Sequence, residues 1–345
     1  MTMNNFKKIG LSALAGSLAM ASAAYAADAS VSMESQIVFS SAEGNQADPA
    51  KNGKGFGSDN DLTFNASGET DNGLTISIAH ALDTNDNVTN SSTQFAVGMG
   101  SLGTFQFNQS GGASSNAIDD VLPKAYEETW DHGVGTAEFH SFGSAVNDGS
   151  VSYKTPSFEM PFGLTVSGAV DYDPNAGVVA PSPGAVGADA ASGEAFVVKL
   201  AHESGLTLGG GNMTVENTDA AKGVEISTGY VSYANGGLSI AYQEHYENSS
   251  VVSKGTTDEG ADIEADGYAV AYTAGDFTFS YSKTTETEQA VSDQKALEEE
   301  EFSAVQAAYN LGGMTIAASM YEADNLDGIA AAKYEETELS VSFAF

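Results

Sequence analysis

The chain has 345 residues, no cysteine and a formal net charge of −35, from 47 acidic residues against 12 lysines and no arginine. The missing cysteines exclude disulfides, thiol catalysis and cysteine-ligated zinc sites. The acidic balance excludes nucleic-acid binding, because phosphate contacts need a basic protein face.

The N-terminus has the composition of a secretory signal peptide. Lys7 and Lys8 precede a run of apolar and small residues, and Ala24-Tyr25-Ala26 supplies a small-x-small cleavage site. A membrane anchor is the alternative, but the run is short of the ~20 strongly apolar residues that a span needs. We predict removal of residues 1–26. Residues 27–345 then form one domain with a net charge of −37, which is −35 less the two charges of Lys7 and Lys8.

Short segments with period-two alternation, bounded by Gly, Asn and Asp turns, fill the rest of the chain. In the first of them, Val31, Met33 and Ile37 point to one face, and Glu34 and Gln36 point to the other. Sixteen such strands are predicted, at 30–40, 59–68, 73–82, 93–99, 104–109, 150–158, 163–172, 194–203, 206–216, 224–234, 238–247, 267–274, 277–285, 300–311, 314–322 and 336–345.

The connections between these strands alternate between loops and tight turns. Most strands approach the about 9–11 residues that cross a bilayer when tilted. An even strand number with one long-looped end is typical of an outer-membrane barrel, and closure removes the sheet edges that lipid does not tolerate. A soluble sandwich, propeller or solenoid is the alternative, but it needs a packed second face. Here the second face is Ser, Thr, Gln, Ala and Gly, which suits a water-filled lumen. We therefore predict an all-β fold, a 16-stranded antiparallel transmembrane barrel.

The last strand, 336–345, places Leu339, Val341 and Phe343 on one face and ends on Phe345. It looks like the terminal strand of bacterial outer-membrane proteins. That likeness implies that Phe345 is recognised by the barrel-assembly machinery. Aromatic residues near strand ends are predicted to form the interfacial girdles of the barrel: Phe39, Tyr172, Tyr246, Tyr268, Phe277, Tyr309, Tyr321 and Phe343.

The segment 110–148 interrupts the ladder as its third long loop. It contains the only tryptophan, Trp130, and a helical turn or two is predicted around Pro123 to Trp130. Long loops in compact folds are usually functional, and clustered carboxylates attract cations and repel anions. We therefore predict that this loop forms a pore constriction, with Trp130 anchoring it to the wall; a solvated loop face is the alternative. The acids concerned are Asp119, Asp120, Glu127, Glu128 and Asp131.

Three segments resemble the general trimeric porins of Gram-negative bacteria, most closely the alphaproteobacterial type: 67–74 (SGETDNGL), 100–105 (GSLGTF) and 149–158 (GSVSYKTPSF). The resemblance implies a homotrimer of sixteen-stranded barrels in the cell outer membrane, each with its own aqueous pore and with the third long loop folded into the lumen. The family usually sets loop carboxylates opposite an arginine cluster. Because arginine is absent here, Lys154 and Lys199, which face inward by alternation, are the predicted bases of the pore wall, and the pore should be net negative.

Catalytic and metal motifs are weak. The chain lacks Gly-x-Ser-x-Gly, HExxH and a P-loop. His132 and His140 lie near Asp131, which leaves a hydrolytic site as a minor alternative. Residues 83–87 look like the start of a calcium loop, but Val88 stands where the required glycine should be. No cofactor is predicted, and loop-bound calcium without assigned ligands stays open.

These observations predict a passive diffusion channel for small hydrophilic solutes and ions, cation-selective, embedded in outer-membrane lipid and not an enzyme. A substrate-specific channel or receptor, with the long loop as its binding site, is the alternative. A third alternative is an enzyme or adhesin barrel without an open pore. Five polar residues on the inner face are predicted to be ordinary wetted lining: Glu34, Gln36, Asp171, Gln243 and His245.

Overall fold

The structure, a computed structural model, describes residues 28–45, 52–85, 88–119, 121–129, 142–143, 146–174, 192–216, 223–248, 262–288 and 297–345. The predicted signal peptide, residues 1–26, lies outside this part of the chain and stays a prediction. Among the described residues, no helix has the length and apolarity needed to cross a membrane.

Seventeen strand segments form a single sheet in which every pairing is antiparallel. They are β1 Asp28–Gly44, β2 Gly53–Glu69, β3 Thr75–Asp83, β4 Thr89–Gly98, β5 Thr104–Ser110, β6 Ser150–Lys154, β7 Phe158–Met160, β8 Leu164–Asp173, β9 Gly193–His202, β10 Leu206–Val215, β11 Val224–Asn235, β12 Leu238–Asn248, β13 Ile263–Ala274, β14 Phe277–Glu288, β15 Glu300–Asn310, β16 Met314–Asp324 and β17 Lys333–Ala344. Single 3₁₀ turns lie at Gly100–Leu102, Ser114–Ile118, Pro161–Gly163 and Leu326–Gly328.

Segments β6 and β7 are two parts of one barrel strand, because both pair with β8. Residues 155–157 separate them, and Pro156 among these has no N–H to donate to a ladder. The sheet closes where β17 pairs with β1, with Val341 opposite Ile37. Beyond the last ladder residue, Met33 and Phe345 exchange backbone hydrogen bonds of 3.2 and 3.0 Å. The predicted closed barrel of sixteen antiparallel strands is confirmed.

The strand boundaries differ from the prediction mainly at β2, which begins at Gly53 and not at residue 59. Residues 53–58 pair with the end of β1, so the two strands extend together beyond the predicted span. The tight turns follow the sequence closely. Between β11 and β12, Gly236 and Gly237 both have positive φ, 60° and 89°. A two-residue hairpin turn of this hand requires that geometry.

The two faces of the sheet are inverted relative to a soluble protein. Along β12, Ile240 and Tyr242 are 46% and 39% exposed, whereas Ala241 and Gln243 are 2% and 0% exposed. Apolar side chains therefore point outward, as a lipid-facing barrel surface requires, and polar or small side chains point inward.

The prediction of the aromatic girdles is wrong for one residue. Tyr321 is 1% exposed and lies inside the barrel, where its ring packs with those of Phe302 and Tyr334. The reason is strand alternation, because Tyr321 shares the face of the buried Ser319.

Candidate functional site: the barrel interior and the segment after β5

The segment after β5 is fastened first to β8. Its 3₁₀ turn begins at Ser114, and the backbone N–H groups of Ser114 and Ser115 donate to the two carboxylate oxygens of Asp171 at 3.0 and 2.7 Å. The Ser152 hydroxyl donates to the same carboxylate. Asp171 is only 3% exposed. A buried carboxylate that accepts several hydrogen bonds is well satisfied, so this charge serves as an anchor.

A small apolar cluster holds the next part of the segment against β9, β10 and β11. Ile118 and Phe142 from the segment are buried with Met213 of β10 and Ile226 of β11. The carbonyl of Ile118 accepts a hydrogen bond of 2.9 Å from the Gln243 side chain on β12. At this part of the inner wall, apolar packing and a side-chain hydrogen bond together hold the segment.

Small residues on β12 and β13 admit the segment at Leu122. That side chain is buried with Ala241, Ala265 and Ala269. A Cβ atom on Gly267 would lie 2.8 Å from Leu122 Cδ1, closer than such atoms normally approach. The small inward residues of these strands thus make space for the loop.

The segment then reaches β14, β15 and β1. The N–H of Ala125 donates to Ser280 Oγ at 2.8 Å, and the N–H of Tyr126 donates to Gln306 Oε1 at 3.0 Å. Gln36 of β1 donates to the Tyr126 hydroxyl at 3.0 Å. Burial, and next the carboxylate of Glu127, raise the pKa of the Tyr126 phenol well above its ordinary value of 10.0, so the phenol stays neutral. Residues 113–126 therefore contact inward-facing side chains from β8 to β1.

The predicted constriction acids have different surroundings. Asp119 is half-buried at the end of the 3₁₀ turn. The Glu128 carboxylate forms an ion pair with Lys124. Glu127 borders a cavity of about 420 Å³ beside β1, β2 and β17. Asp120, Trp130 and Asp131 lie outside the described residues, so their predicted roles stay predictions. The predicted helical turns near Pro123 are absent from 121–129; the turn lies at Ser114–Ile118 instead.

A row of acids on β1, β2 and β3 was not predicted as a site. Glu34 lies directly opposite Asp61, and Asp61 lies directly opposite Asp83. Asp59, two residues from Asp61, shares the same inner face of β2. We call Glu34, Asp59, Asp61 and Asp83 the acidic wall. Like charges placed opposite each other weaken a sheet, so this arrangement does not contribute to the stability of the fold. Strand alternation could have placed Glu34 and Asp61 together, had the pairing of β1 with β2 been known.

Three residues of the acidic wall face Glu127 across the same cavity. Glu34, Asp59, Asp61 and Glu127 all line it, and its lining, which consists of described residues, includes no lysine. Electrostatically, the two sides of this part of the lumen have the same sign. The resemblance implies basic residues opposite the loop carboxylates, and none of the residues that line this cavity is basic.

The two predicted wall bases lie together elsewhere. Lys154 of β6 and Lys199 of β9 are separated by β8, where they pair with Ala169 and Ser167. Both border one cavity of about 330 Å³ next to the 3₁₀ turn Ser114–Ile118. Their inward orientation agrees with the prediction.

The prediction of ordinary wetted lining is wrong for several residues. Asp171, Gln243 and His245 are 3%, 0% and 3% exposed. The first two bond to the loop, because backbone groups from residues far away in the sequence reach them. Gln36 is half-buried and bonds to Tyr126, and Glu34 belongs to the acidic wall.

No metal centre emerges from this part of the chain. Within the described residues, no group of three or more His, Cys, Asp or Glu side chains has a metal-binding arrangement. Of the candidate calcium loop, Asp83 and Asn85 are described, and the backbone N–H of Asn85 donates to Asp83 Oδ1 at 2.9 Å. Asp86 and Asn87 lie outside the described residues, as do His132 and His140. The calcium and hydrolytic alternatives remain untested.

Similar solved structures share this architecture at low sequence identity. A porin refined at 1.8 Å resolution is 15% identical, with a TM-score of 0.64, 92% of this chain covered and 100% of the other. A loop L8 deletion mutant of OmpT, an outer membrane protein of Vibrio cholerae, is 14% identical, with a TM-score of 0.64 and coverage of 93% and 100%. A mutant of the Rh. blastica porin is 12% identical, with a TM-score of 0.58 and coverage of 92% and 100%. These likenesses establish the fold.

No curated protein matches the chain. The family model described as Gram-negative porin matches residues 10–345, nearly the whole length. With the closed sixteen-stranded barrel and its outward apolar face, this match shows that the chain belongs to the Gram-negative porin family and forms an outer-membrane channel.

Proposed function

We propose that this porin is a passive, cation-selective diffusion channel for small hydrophilic solutes and ions, and that segment 110–148 narrows its pore. The observation that carries the proposal is the same-sign pair of surfaces formed by the acidic wall and Glu127. Carboxylates on both sides of an aqueous passage raise the local concentration of cations and repel anions.

Three of the described lysines lie in other surroundings. Lys124, the described lysine nearest in sequence to Glu127, is paired with Glu128. Lys154 and Lys199 border a different cavity. The contacts of residues 113–126 with inward-facing side chains support a position of the loop inside the lumen, where its carboxylates would act at short range.

Planar-bilayer recording tests this function. In a potassium chloride gradient near 0.1 M, where charges act over about 10 Å, we expect ohmic channels whose zero-current potential shows cation preference. The preference should weaken at 1 M salt, where screening shortens that range to about 3 Å. Absence of conductance would refute the channel, and anion preference at low salt would refute the selectivity.

We also propose that the protein assembles as a homotrimer through the outer face of β1 to β4. Polar side chains interrupt the apolar surface there: Ser35 donates to Asn60 Oδ1 at 2.6 Å, and His80 Nδ1 lies 2.6 Å from Thr93 Oγ1. Such groups are costly against lipid tails and are better covered by protein. Light scattering of the detergent-solubilised protein should give three copies, and a monomer would contradict the assembly.

Export and assembly complete the proposal. Phe345 is 79% exposed, and its ring stacks on that of Phe343 with centroids 6.4 Å apart. This leaves the terminal aromatic accessible for recognition by the barrel-assembly machinery. A Phe345→Ala variant should reach the outer membrane in reduced amounts, as measured by membrane fractionation, and undiminished insertion would contradict that role. Cleavage of the predicted signal peptide after Ala26 is tested by N-terminal sequencing, which should show that the mature protein begins at Ala27.

A further inference from the structure

The cavity beside Lys154 and Lys199 is opposite in charge to the cavity beside the acidic wall. It lies between the 3₁₀ turn Ser114–Ile118 and the end of the barrel that carries the tight turns, because Lys199 is close to the tight turn that follows β9. The residues that line it, all of them described, include two lysines and no Asp or Glu. In a chain with 47 acids and 12 lysines, such a site is exceptional in composition.

These two lysines also differ from three other described lysines. Lys124, Lys283 and Lys333 form ion pairs with Glu128, Glu301 and Asp324, respectively. Within the part of the chain that the structure describes, neither Lys154 nor Lys199 forms an ion pair, and both side chains are exposed to the lumen. Their charges are therefore available to a solute.

The buried carboxylate of Asp171, on the strand between them, does not compete for them. Asp171 lies on the same inner face of β8 as Ala169, which pairs with Lys154. Its oxygens accept hydrogen bonds from Ser114, Ser115 and Ser152, and it does not line the cavity. Backbone N–H groups of the loop thus satisfy the Asp171 carboxylate by hydrogen bonding.

The remaining lining combines hydroxyl and aliphatic groups. The break between β6 and β7 brings Ser157 to the cavity, and Ser167 and Tyr230 add further hydroxyl groups. Ile118, Ala169 and Val197 supply an apolar surface. Two ammonium groups suit carboxylate oxygens, hydroxyls can donate further hydrogen bonds, and the apolar surface suits a short hydrocarbon chain.

We propose that this cavity binds a short-chain organic carboxylate, with Lys154 and Lys199 holding its charged groups. The solute reaches the cavity through the lumen, so its access rests on the proposed channel function. The acidic wall discourages free anions, and the lysine cavity gives a carboxylate solute a local binding step during passage. Flux of such a solute should then saturate with concentration, unlike that of an uncharged one.

Calorimetric titration of the detergent-solubilised protein with succinate tests the binding directly, independently of conductance. We expect saturable binding of succinate at low salt and none of succinamide, its uncharged analogue.

The double variant Lys154→Gln with Lys199→Gln should bind succinate at least about tenfold more weakly, because each lost charge-assisted hydrogen bond typically contributes that much. The conservative variant Lys154→Arg should retain binding, which separates loss of charge from misfolding. Lys54→Gln, on the outer face of β2, is the matched control and should bind as the parent does.

Several outcomes would overturn the inference: no succinate binding by the parent protein, equal binding by the double variant, or equal binding of succinamide. Sulfate that binds as tightly as succinate would overturn the aliphatic part of the assignment. Bilayer recording then separates the two proposals. A protein that conducts potassium chloride without succinate binding refutes only the carboxylate site, whereas one that binds succinate without conducting refutes only the channel.

Discussion

The inner wall of β1 to β3 and the inner wall of β8 to β15 have the same alternating pattern but opposite uses. The first presents Glu34, Asp59 and Asp61 to an open cavity. The second is covered by described residues between 113 and 126, and its polar residues, such as Asp171 and Gln306, are buried and bonded to backbone groups of that segment. Polar side chains on the inner face of a barrel are therefore of two kinds, those that meet water and those that hold a loop.

The difference follows from what each wall must satisfy. Where the loop lies on the wall, its N–H and C=O groups are withdrawn from water and need partners, which amide and carboxylate side chains supply. Where the wall is open, water solvates the side chains, and like charges can stand opposite each other at a modest cost. The open wall can therefore carry a strong field, and the covered wall cannot.

Removing charge from the open wall should produce the largest effect. We expect Glu34→Gln with Asp61→Asn to reduce the cation-to-anion permeability ratio about fivefold or more, because one charge at 4 Å contributes about 1 kcal/mol even in water. The zero-current potential in a salt gradient measures this ratio. Thermal stability should not fall, since the change also relieves the repulsion between the two strands.

The matched control for this pair is Glu322→Gln with Glu335→Gln. These two glutamates also lie directly opposite each other, on β16 and β17, but on the outer face of the barrel. The control should relieve the same kind of repulsion and leave selectivity nearly unchanged. A selectivity loss equal to that of the inner pair would show that net charge, and not the acidic wall, governs permeation.

Much of this architecture could be predicted from the sequence, because local patterns determine it. Alternation and turn residues located all sixteen strands and placed Lys154 and Lys199 on the inner face. The same alternation did not reveal which inner residues are wet. Asp171 is buried because Ser114 and Ser115, more than fifty residues away in sequence, donate to it.

Residues 53–58 show a second limit. Their polar, glycine-containing sequence is typical of a loop, and they extend β2 only because β1 continues beside them. Register between strands decides such boundaries, and it also decides that Glu34 meets Asp61. A single strand's pattern contains neither fact, so the acidic wall could be identified only from the assembled sheet.

Removing the Asp171 carboxylate, which anchors the loop to the covered wall, should have the next largest effect. In Asp171→Asn, one of the two accepting oxygens is replaced by a donor, which leaves a loop N–H without a partner. A buried group of this kind costs about 1–3 kcal/mol when unsatisfied. We expect noisier open-channel current and faster proteolysis within 110–148, measured by single-channel recording and limited digestion. Asp276→Asn, at the exposed turn between β13 and β14, is the control. Quiet channels with unchanged digestion would contradict the anchoring role.

The smallest effect should come from narrowing the space that admits the loop. Gly267→Ala would place a Cβ 2.8 Å from Leu122 Cδ1 and 2.9 Å from Thr284 Cγ2. Leu122 can shift, so we expect a destabilisation of about 1 kcal/mol, at the lower end of overpacking costs, measured as a lower unfolding temperature.

The rescue by a second substitution makes this last prediction specific. Adding Leu122→Ala removes the clashing methyl groups, so the double variant should lose less stability than the two single changes predict together, a coupling of about 0.5 kcal/mol or more. Gly229→Ala, whose added Cβ would come no closer than 3.8 Å to Gly209 O, is the matched control and should have no such coupling with Leu122→Ala. Additive effects of Gly267→Ala and Leu122→Ala would mean that Leu122 does not press on β13 at Gly267.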